Sequence, residues 1–175
     1  LLADAAWETE PETLAMVLRG LPALAEAPSA SPTFHVEDHP DDQWLEMYHS
    51  RSGTLSPQAL KHLSAPIEGT LGFGRLALEG VTVAIARGAI SESGDGTAWL
   101  GLSNVEVAAN SRRRGFGTLL GQHLLRWGRD NGAEHAYLTV PASNTAGVRL
   151  AEKLGFIEQH LSLIHISEPT RPERI

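Results

Sequence analysis

Apolar side chains recur at helical spacing near the start of the chain. The recurring positions are Leu14, Val17, Leu18, Leu21 and Leu24. They predict an amphipathic helix over residues 11–24. The small, polar and proline-bearing residues 27–32 then predict a linker. We therefore expect residues 1–32 to form an amino-terminal helix and linker from an upstream region, and the main domain to begin near Thr33.

Residues 33–107 combine a short strand, two short helices and a three-stranded meander. Residues 33–36 have a strand pattern. Helices are expected to begin at Asp41 and at Ser56, because aspartate and serine cap helix starts, and Pro57 fits a first turn. From Gly69 onward the pattern is typical of antiparallel strands, which we predict at residues 70–78, 81–87 and 98–107.

A longer helical pattern spans residues 115–130 and places its apolar side chains on one face. These side chains are Phe116, Leu119, Leu120, Leu124 and Trp127. Asn131 and Gly132 form a favoured helix end. A strand at residues 135–140, a helix at residues 144–154 and a further strand from Phe156 follow. This order of elements predicts a mixed α/β domain over residues 33–161.

The last residues, 162–175, differ in character from the rest of the chain. They are charged and interrupted by prolines, at a point where a last antiparallel strand is expected. They resemble translated sequencing-adapter read-through, so we expect a non-native tail. The last strand would then be missing or replaced, which would leave one edge of the sheet exposed.

The composition narrows the classes of partner and chemistry. The formal net charge is −7, and we expect neither nucleic acid nor membrane as a partner, because both attract clustered positive charge. Cysteine is absent, which excludes disulfides and a cysteine nucleophile. The histidines lack HExxH spacing, so we predict no metal. No apolar stretch approaches the roughly 18 residues needed to span a bilayer, and we expect a cytoplasmic protein.

The loop at residues 112–117, Arg-Arg-Arg-Gly-Phe-Gly, precedes the long helix and is a candidate phosphate site. The first N–H groups of a helix lack intrahelical partners and carry the positive end of its dipole. Glycine at positions 115 and 117 lets the backbone approach an anion closely. The loop alone does not distinguish a phosphate site from a run of solvated arginines that binds nothing. A P-loop is excluded by the missing lysine, and a Rossmann fingerprint by Leu120, which stands where its third glycine belongs.

Two motifs carry a resemblance to a known family. The pattern Arg112-x-x-Gly115-x-Gly117 resembles the Q/R-x-x-G-x-G/A signature of GNAT N-acetyltransferases. Asn144, followed by residues 150–156, resembles the second motif of that family. The resemblance covers roughly residues 33–161 and implies a mixed, mostly antiparallel central sheet flanked by helices. A Trp-Leu-Gly-Leu strand continuing to Val-Glu-Val is similar to members assigned N-acetylglutamate synthase activity.

The resemblance also implies a co-substrate and its binding residues. Acetyl-CoA would bind with its pyrophosphate on the backbone of residues 113–117 and its pantetheine along the strand at Val105 and Val107. Asn144 would contact the cofactor arm. The residues implied in cofactor binding are Val105, Val107, Arg112, Arg113, Arg114, Gly115, Phe116, Gly117, Thr118 and Asn144. The acceptor would be a primary amine of a small molecule, amino acid or peptide, and a homodimer is left open.

Acetyl transfer to an amine requires a base, and we predict that Glu106 serves. If Val105 and Val107 face the core, alternation turns Glu106 to the opposite side, near the expected acetyl group. A cross-strand ion pair or a solvated edge is the alternative for Glu106. The proton donor is less defined, because Ala151 stands where the family often has tyrosine. Tyr137, Ser143 or water would then serve.

Two other functions stay open at this stage. A catalytically silent domain that binds acyl-CoA and regulates a partner is consistent with Ala151. A structural module with a solvated arginine loop would bind no cofactor. The sequence favours the enzyme, an N-acetyltransferase.

Overall fold

In the computed structural model, the described residues form a seven-stranded mixed sheet and four α-helices. The structure describes residues 12–23, 32–64 and 69–159. The elements in chain order are β1 (Thr13–Arg19), β2 (Thr33–Glu37), α1 (Asp42–Ser52), α2 (Pro57–Leu63), β3 (Thr70–Leu78), β4 (Val81–Glu92), β5 (Ala98–Val107), a 3-10 turn (Ala109–Ser111), α3 (Phe116–Asp130), β6 (His135–Pro141), α4 (Thr145–Lys153) and β7 (Ile157–Gln159). The strand order is β2-β3-β4-β5-β6-β1-β7. The predicted α/β class and the mostly antiparallel sheet are confirmed.

Only one pair of neighbouring strands in the described sheet is parallel, namely β5 and β6. Trp99 to Leu102 of β5 pair with His135 to Leu138 of β6, and the pairing stops there although both strands continue. The carboxyl ends of β5 and β6 therefore separate. This separation opens the sheet in its middle rather than at an edge.

Each face of the sheet packs against a pair of helices. Helices α3 and α4 cover one face (the α3 face). Leu100 of β5 and Leu120 and Leu124 of α3 are fully buried there. Helices α1 and α2 lie on the opposite face (the α1 face), where Trp44 packs on Phe73 and Ile85. The Trp44 indole Nε1 also donates to the carbonyl oxygen of Ala86 at 3.3 Å, which ties α1 to β4.

Glycines let α3 lie close to the sheet. A Cβ on Gly72 or Gly88 would meet ring atoms of Trp127 at 2.6 Å and 2.9 Å, so these two strand glycines make room for the indole. Within α3 itself, a Cβ on Gly128 would meet Leu100 at 2.6 Å. The helix contains residues of poor helix propensity, and its close contacts with the sheet compensate. Trp127, on the predicted apolar face of this helix, is thus a packing residue.

The two short helices begin where their capping residues predict. The Asp41 carboxylate accepts from the backbone N–H of Trp44 at 2.7 Å, and Ser56 Oγ accepts from that of Ala59 at 3.1 Å. Asp41 also forms an ion pair with Arg75 of β3 at 3.0 Å. One carboxylate thus caps α1 and fastens it to the sheet.

The predicted helix over residues 11–24 is wrong, because residues 13–19 form strand β1. Leu14, Met16 and Leu18 alternate toward the α3-face core, and Met16 is only 2% exposed. The strand pairs with β6 along its whole length and with β7 on its other side. Burial between two strands outweighs the local helical spacing. The sheet thus includes a strand from the segment that we expected to lie outside the domain.

Strand β1 also changes the expectation of an exposed edge. It lies between β6 and β7 and is antiparallel to both. The place beside β6 is thus filled by an early segment of the chain. In the described part of the chain, β7 is the edge strand on this side. The predicted non-native tail, residues 162–175, lies outside the described residues.

Candidate active site

A β-bulge at the end of β5 shapes the opening between β5 and β6. Ile85 of β4 pairs with Glu106, but Arg87 pairs with Ser103, so two residues of β5 oppose one residue of β4. Asn104, one of the two, has a left-handed φ of 55°. A bulge bends its strand and increases the local twist. The end of β5 therefore turns away from β6.

The opening is a cleft of about 890 Å³ (the β5–β6 cleft), bounded by β5, β6, the start of α3 and α4. Its charged lining residues are Glu106, Arg112, Arg113, Arg149 and Lys153. Four of these five carry positive charge, whereas the chain as a whole has a formal net charge of −7. The cleft is therefore locally suited to an anion in an acidic protein.

The start of α3 offers free backbone donors to this cleft. Gly115 is the N-cap in the left-handed region, with φ 81°, and no side chain caps the helix. The first intrahelical bond runs from the N–H of Leu119 to the carbonyl of Gly115 at 3.0 Å. The N–H groups of Phe116, Gly117 and Thr118 thus have no earlier helical carbonyl to bond. All three residues line the cleft.

The glycines of this loop have different surroundings. A Cβ on Gly115 would meet nothing within 4 Å, but its positive φ makes any side chain strained. A Cβ on Gly117 would lie 3.3 Å from Leu150 and 3.5 Å from Val107. Glycine at 117 therefore brings the start of α3 close to α4 and to the end of β5.

The three predicted arginines do not share one environment. Arg112 and Arg113 line the cleft, and both are exposed. Arg114 is absent from the lining, and its guanidinium lies 4.9 Å from the ring centre of Phe116. The structure therefore separates Arg114 from the other two, although the sequence treats them alike.

The valines beside Glu106 do not both face the core, so the condition on which the alternation argument rested is not met. Val105 is 39% exposed, whereas Val107 is partly buried against the α3-face core. The bulge at Asn104 and Val105 interrupts strict alternation. Glu106 nevertheless pairs with Ile85, a residue of the α1 face, so Glu106 lies on the α1 face and lines the cleft.

The second motif contributes a helix cap and a buried alanine. Asn144 lines the cleft, and its Oδ1 accepts from the backbone N–H of Gly147 at 3.0 Å, which caps α4. Its Nδ2 is left to donate to a ligand. Ala151 is 1% exposed in the core. No proton donor is thus present at the position where the family often has tyrosine.

Tyr137 shares the α1 face with Glu106 but is outside the cleft lining. It pairs with Gly101, where a Cβ would meet the Tyr137 hydroxyl oxygen at 2.8 Å, so its ring covers that glycine. Tyr137 is 44% exposed and is not part of the cleft lining. The structure thus brings together the predicted cofactor-binding residues other than Arg114, and Glu106 with them, whereas the two candidate proton donors Tyr137 and Ser143 are outside the cleft lining.

Sequence reasoning missed three basic residues around the site. Arg149 and Lys153 lie one turn apart on α4 and line the cleft. The available signal was that these two basic residues are four positions apart in the helix that Asn144 begins, which places them on the same helix face. Arg87 lies on the α1 face opposite Ser103, which lines the cleft. Its isolated place in a strand gave no signal.

The described part of the chain offers no cluster of metal ligands and no helix suited to cross a bilayer. In the ranges 12–23, 32–64 and 69–159, no three histidine, aspartate or glutamate side chains gather where they could hold a metal ion. None of the helices within those ranges combines the length and the apolar character that a bilayer crossing requires.

Comparison with known proteins identifies the family. The family model described as "Probable histone acetyltransferase Rv0428c C-terminal" matches residues 1–163. The probable histone acetyltransferase Rv0428c of Mycobacterium tuberculosis (strain ATCC 25618 / H37Rv) is 40% identical over 124 residues, which cover 70% of this chain and 37% of that protein. The chain thus spans little more than a third of this curated relative.

Two solved structures share the fold. A putative GNAT-family acetyltransferase from Novosphingobium aromaticivorans DSM 12444 has a TM-score of 0.62 at 22% identity, over 84% of this chain and 59% of that chain. The aminoglycoside N-acetyltransferase AAC(6')-Iy in complex with CoA has a TM-score of 0.61 at 16% identity, over 82% and 100%. The finer resemblance to N-acetylglutamate synthases stays a prediction. Because its family model matches residues 1–163, the chain belongs to the Rv0428c C-terminal family, and it shares its fold with these two acetyltransferases.

Proposed function

We propose that the chain transfers the acetyl group of acetyl-CoA to a primary amine, by direct attack of the amine on the thioester. The observation that carries this proposal is the reversed charge at the β5–β6 cleft, where four cations and one carboxylate line an opening in an acidic chain. CoA is a polyanion, and a local positive field attracts it. The CoA complex of the structural neighbour AAC(6')-Iy supports this choice of ligand.

The start of α3 would hold the pyrophosphate. The uncapped N–H groups of Phe116, Gly117 and Thr118 can donate to phosphate oxygens, and the helix dipole favours the anion. Arg112 and Arg113 would add charge from the preceding loop. Arg149 and Lys153, one turn apart on α4, are placed for a further phosphate group of the same ligand.

The end of β5 would bind the pantetheine arm as an added strand. The N–H of Ala108 donates to Val83 of β4 at 2.9 Å, so the preceding N–H, that of Val107, points to the side where β6 is no longer paired. An extended arm can form strand-like hydrogen bonds there. The same N–H is suited to stabilise an oxyanion near the reacting carbonyl.

Glu106 would act as the general base. When bound, acetyl-CoA supplies an acetyl group activated as a thioester. The amine acceptor must lose a proton before it attacks, and Glu106 lies in the cleft lining on the α1 face. Tyr137 stays a prediction as proton donor, and bound water is the simpler donor because Tyr137 lies outside the cleft lining.

The acceptor class is the least constrained part of the proposal. The curated relative is named a probable histone acetyltransferase, which makes a lysine-bearing peptide one candidate acceptor. Small-molecule amines and amino acids are the others. A homodimer and a cytoplasmic setting stay predictions.

The test has two stages on the same folded protein. Calorimetry measures acetyl-CoA binding, and a thiol-release assay then measures transfer to a panel of amines, amino acids and lysine-bearing peptides. Binding with acceptor-dependent thiol release supports the enzyme. A folded protein that gives no binding heat would falsify the proposal.

A second candidate function is a catalytically silent acyl-CoA sensor. The observation that favours it is Ala151, which is buried where the family often has a tyrosine proton donor. Acetyl-CoA binding without thiol release across the whole panel would favour the sensor over the enzyme.

A further inference from the structure

We propose that Arg87 binds an anionic group of the acceptor, and that the acceptor is an amine carrying a carboxylate next to the nitrogen, as an α-amino acid does. This inference rests on the proposed acetyl transfer and adds the substrate class. The supporting observations concern the place of Arg87, its unused donors and its surroundings.

Arg87 is not itself a lining residue, but it is paired with one near Glu106. It pairs with Ser103, the last residue of β5 before the bulge, and Ser103 lines the cleft. Glu106 pairs with Ile85, two residues before Arg87 on the same strand, so Arg87 and Glu106 share the α1 face on either side of the bulge. Diagonal neighbours of this kind are roughly 7–8 Å apart, which long side chains can span.

Most donors of Arg87 are unused within the described residues. Its Nε donates to the carbonyl of Leu63 at the end of α2, at 3.1 Å, and its guanidinium lies 5.9 Å from the ring centre of Phe73. In the described ranges, its two Nη groups make no hydrogen bond and no carboxylate pairs with it. A planar guanidinium presents a fork of donors that matches a carboxylate.

The environment of Arg87 favours an added anion. Partial burial lowers the pKa of the Arg87 guanidinium, and the nearby Tyr137 opposes that shift. The described residues supply no carboxylate to this partly desolvated cation, so a bound carboxylate would stabilise it. Tyr137, exposed beside Arg87, offers a hydroxyl to the same anion.

The geometry also limits the class of acceptor. With its carboxylate on Arg87 and its amine at Glu106, the acceptor must place the two groups a short distance apart on one face of the sheet. An α-amino acid separates them by a single carbon atom. The side-chain amine of a lysine within a peptide has no adjacent carboxylate, so it would leave Arg87 unused.

Arg75 is a matched control for Arg87. Both arginines belong to neighbouring strands and lie on the α1 face, but Arg75 is already paired with Asp41 at 3.0 Å. Arg75→Gln should lower the thermal midpoint without changing acceptor preference. Arg87→Lys keeps the charge but loses the fork, so it should retain part of that preference.

The experiment compares α-amino acids with their α-carboxamides, using thiol release at saturating acetyl-CoA, with acetyl-CoA binding followed separately by calorimetry. The parent should favour the acids by roughly 10- to 100-fold in kcat/KM, the value of a charge-assisted hydrogen-bonded contact. Arg87→Gln should abolish that preference, chiefly by raising KM for the acids, while acetyl-CoA affinity is retained. The amine of the carboxamide loses its proton more readily than the amine of the acid. Amine basicity alone would therefore favour the carboxamide, so a preference for the acid must come from the carboxylate.

Three results would overturn the inference. They are equal turnover of acids and carboxamides, a lysine-rich peptide preferred by the parent and unaffected by Arg87→Gln, and acetyl-CoA binding with no panel member turned over. The last result would contradict the proposed acceptor but not the proposed acetyl-CoA site. Absence of acetyl-CoA binding removes the proposed function and this inference with it, and calorimetry identifies that case.

Discussion

Charge reversal at two neighbouring arginines tests the placement of the phosphates most sharply. Arg113 lines the β5–β6 cleft, whereas Arg114 lies against the ring of Phe116 outside the lining. Arg113→Glu and Arg114→Glu each lower the formal net charge of −7 by two units. The two variants therefore share their effect on overall charge and differ in their distance from the proposed pyrophosphate.

The expected magnitudes follow from exposure and screening. Arg113 is exposed, so its contact with a phosphate is worth about 1–2 kcal/mol, and the new carboxylate adds about 1 kcal/mol of repulsion at 4 Å in water. Acetyl-CoA affinity should fall roughly 30- to 150-fold in Arg113→Glu. In Arg114→Glu the loss should stay below about 5-fold, because Arg114 is outside the cleft lining and its charge would act on the ligand only through solvent, where salt screens it.

Calorimetric titration with acetyl-CoA at physiological salt measures both variants, and circular dichroism checks that each is folded. Arg113 has a positive φ of 61° in the parent, and glutamate there meets the same backbone strain as arginine, so the substitution introduces no new penalty of that kind. Equal losses in the two variants would refute the local placement, because overall charge would then explain them. A larger loss in Arg114→Glu would refute it as well.

Two further predictions concern catalysis and packing. Glu106→Gln should lower kcat at neutral pH by at least about 100-fold with little change in acetyl-CoA affinity, as expected for loss of a general base, and an unchanged rate in the thiol-release assay would remove Glu106 from the mechanism. Gly72→Ala should destabilise the fold by about 1–3 kcal/mol in urea unfolding, because its Cβ would meet the Trp127 ring at 2.6 Å. Gly94→Ala, whose Cβ meets nothing within 4 Å, is its control, and equal costs at the two glycines would contradict the packing of α3 on the sheet.

The sequence predicted most of the elements because their signals are local. Asp41 and Ser56 cap the helices that they were expected to begin, and α3 ends at Asn131 as its stop signal indicates. Strand β1 was misassigned because its register is set by long-range pairing. Its spacing fits a helix equally well, and only the neighbours β6 and β7 decide between them.

The site was predictable where the backbone supplies the chemistry and less so where side chains do. The uncapped start of α3 follows from the position of Gly115 between a strand and a helix. The bulge at Asn104 is a tertiary feature, so the alternation argument for Val105 was wrong although Glu106 still lies at the cleft. The sequence could not indicate Arg87, because its place in the fold is set by Ser103 and Leu63, which are distant along the chain.

The central claim is that the bare amides at the start of α3, with the arginines beside them, bind a diphosphate. Titration of the folded chain with acetyl-CoA and, in parallel, with S-acetyl-pantetheine tests it most directly, because the second ligand carries the same thioester and arm but lacks the 3′-phospho-ADP part that holds all the phosphates. We predict that acetyl-CoA binds at least about 100-fold more tightly, the value of two or more charge-assisted contacts. Equal affinity for the two ligands, or no binding of acetyl-CoA, would contradict the account.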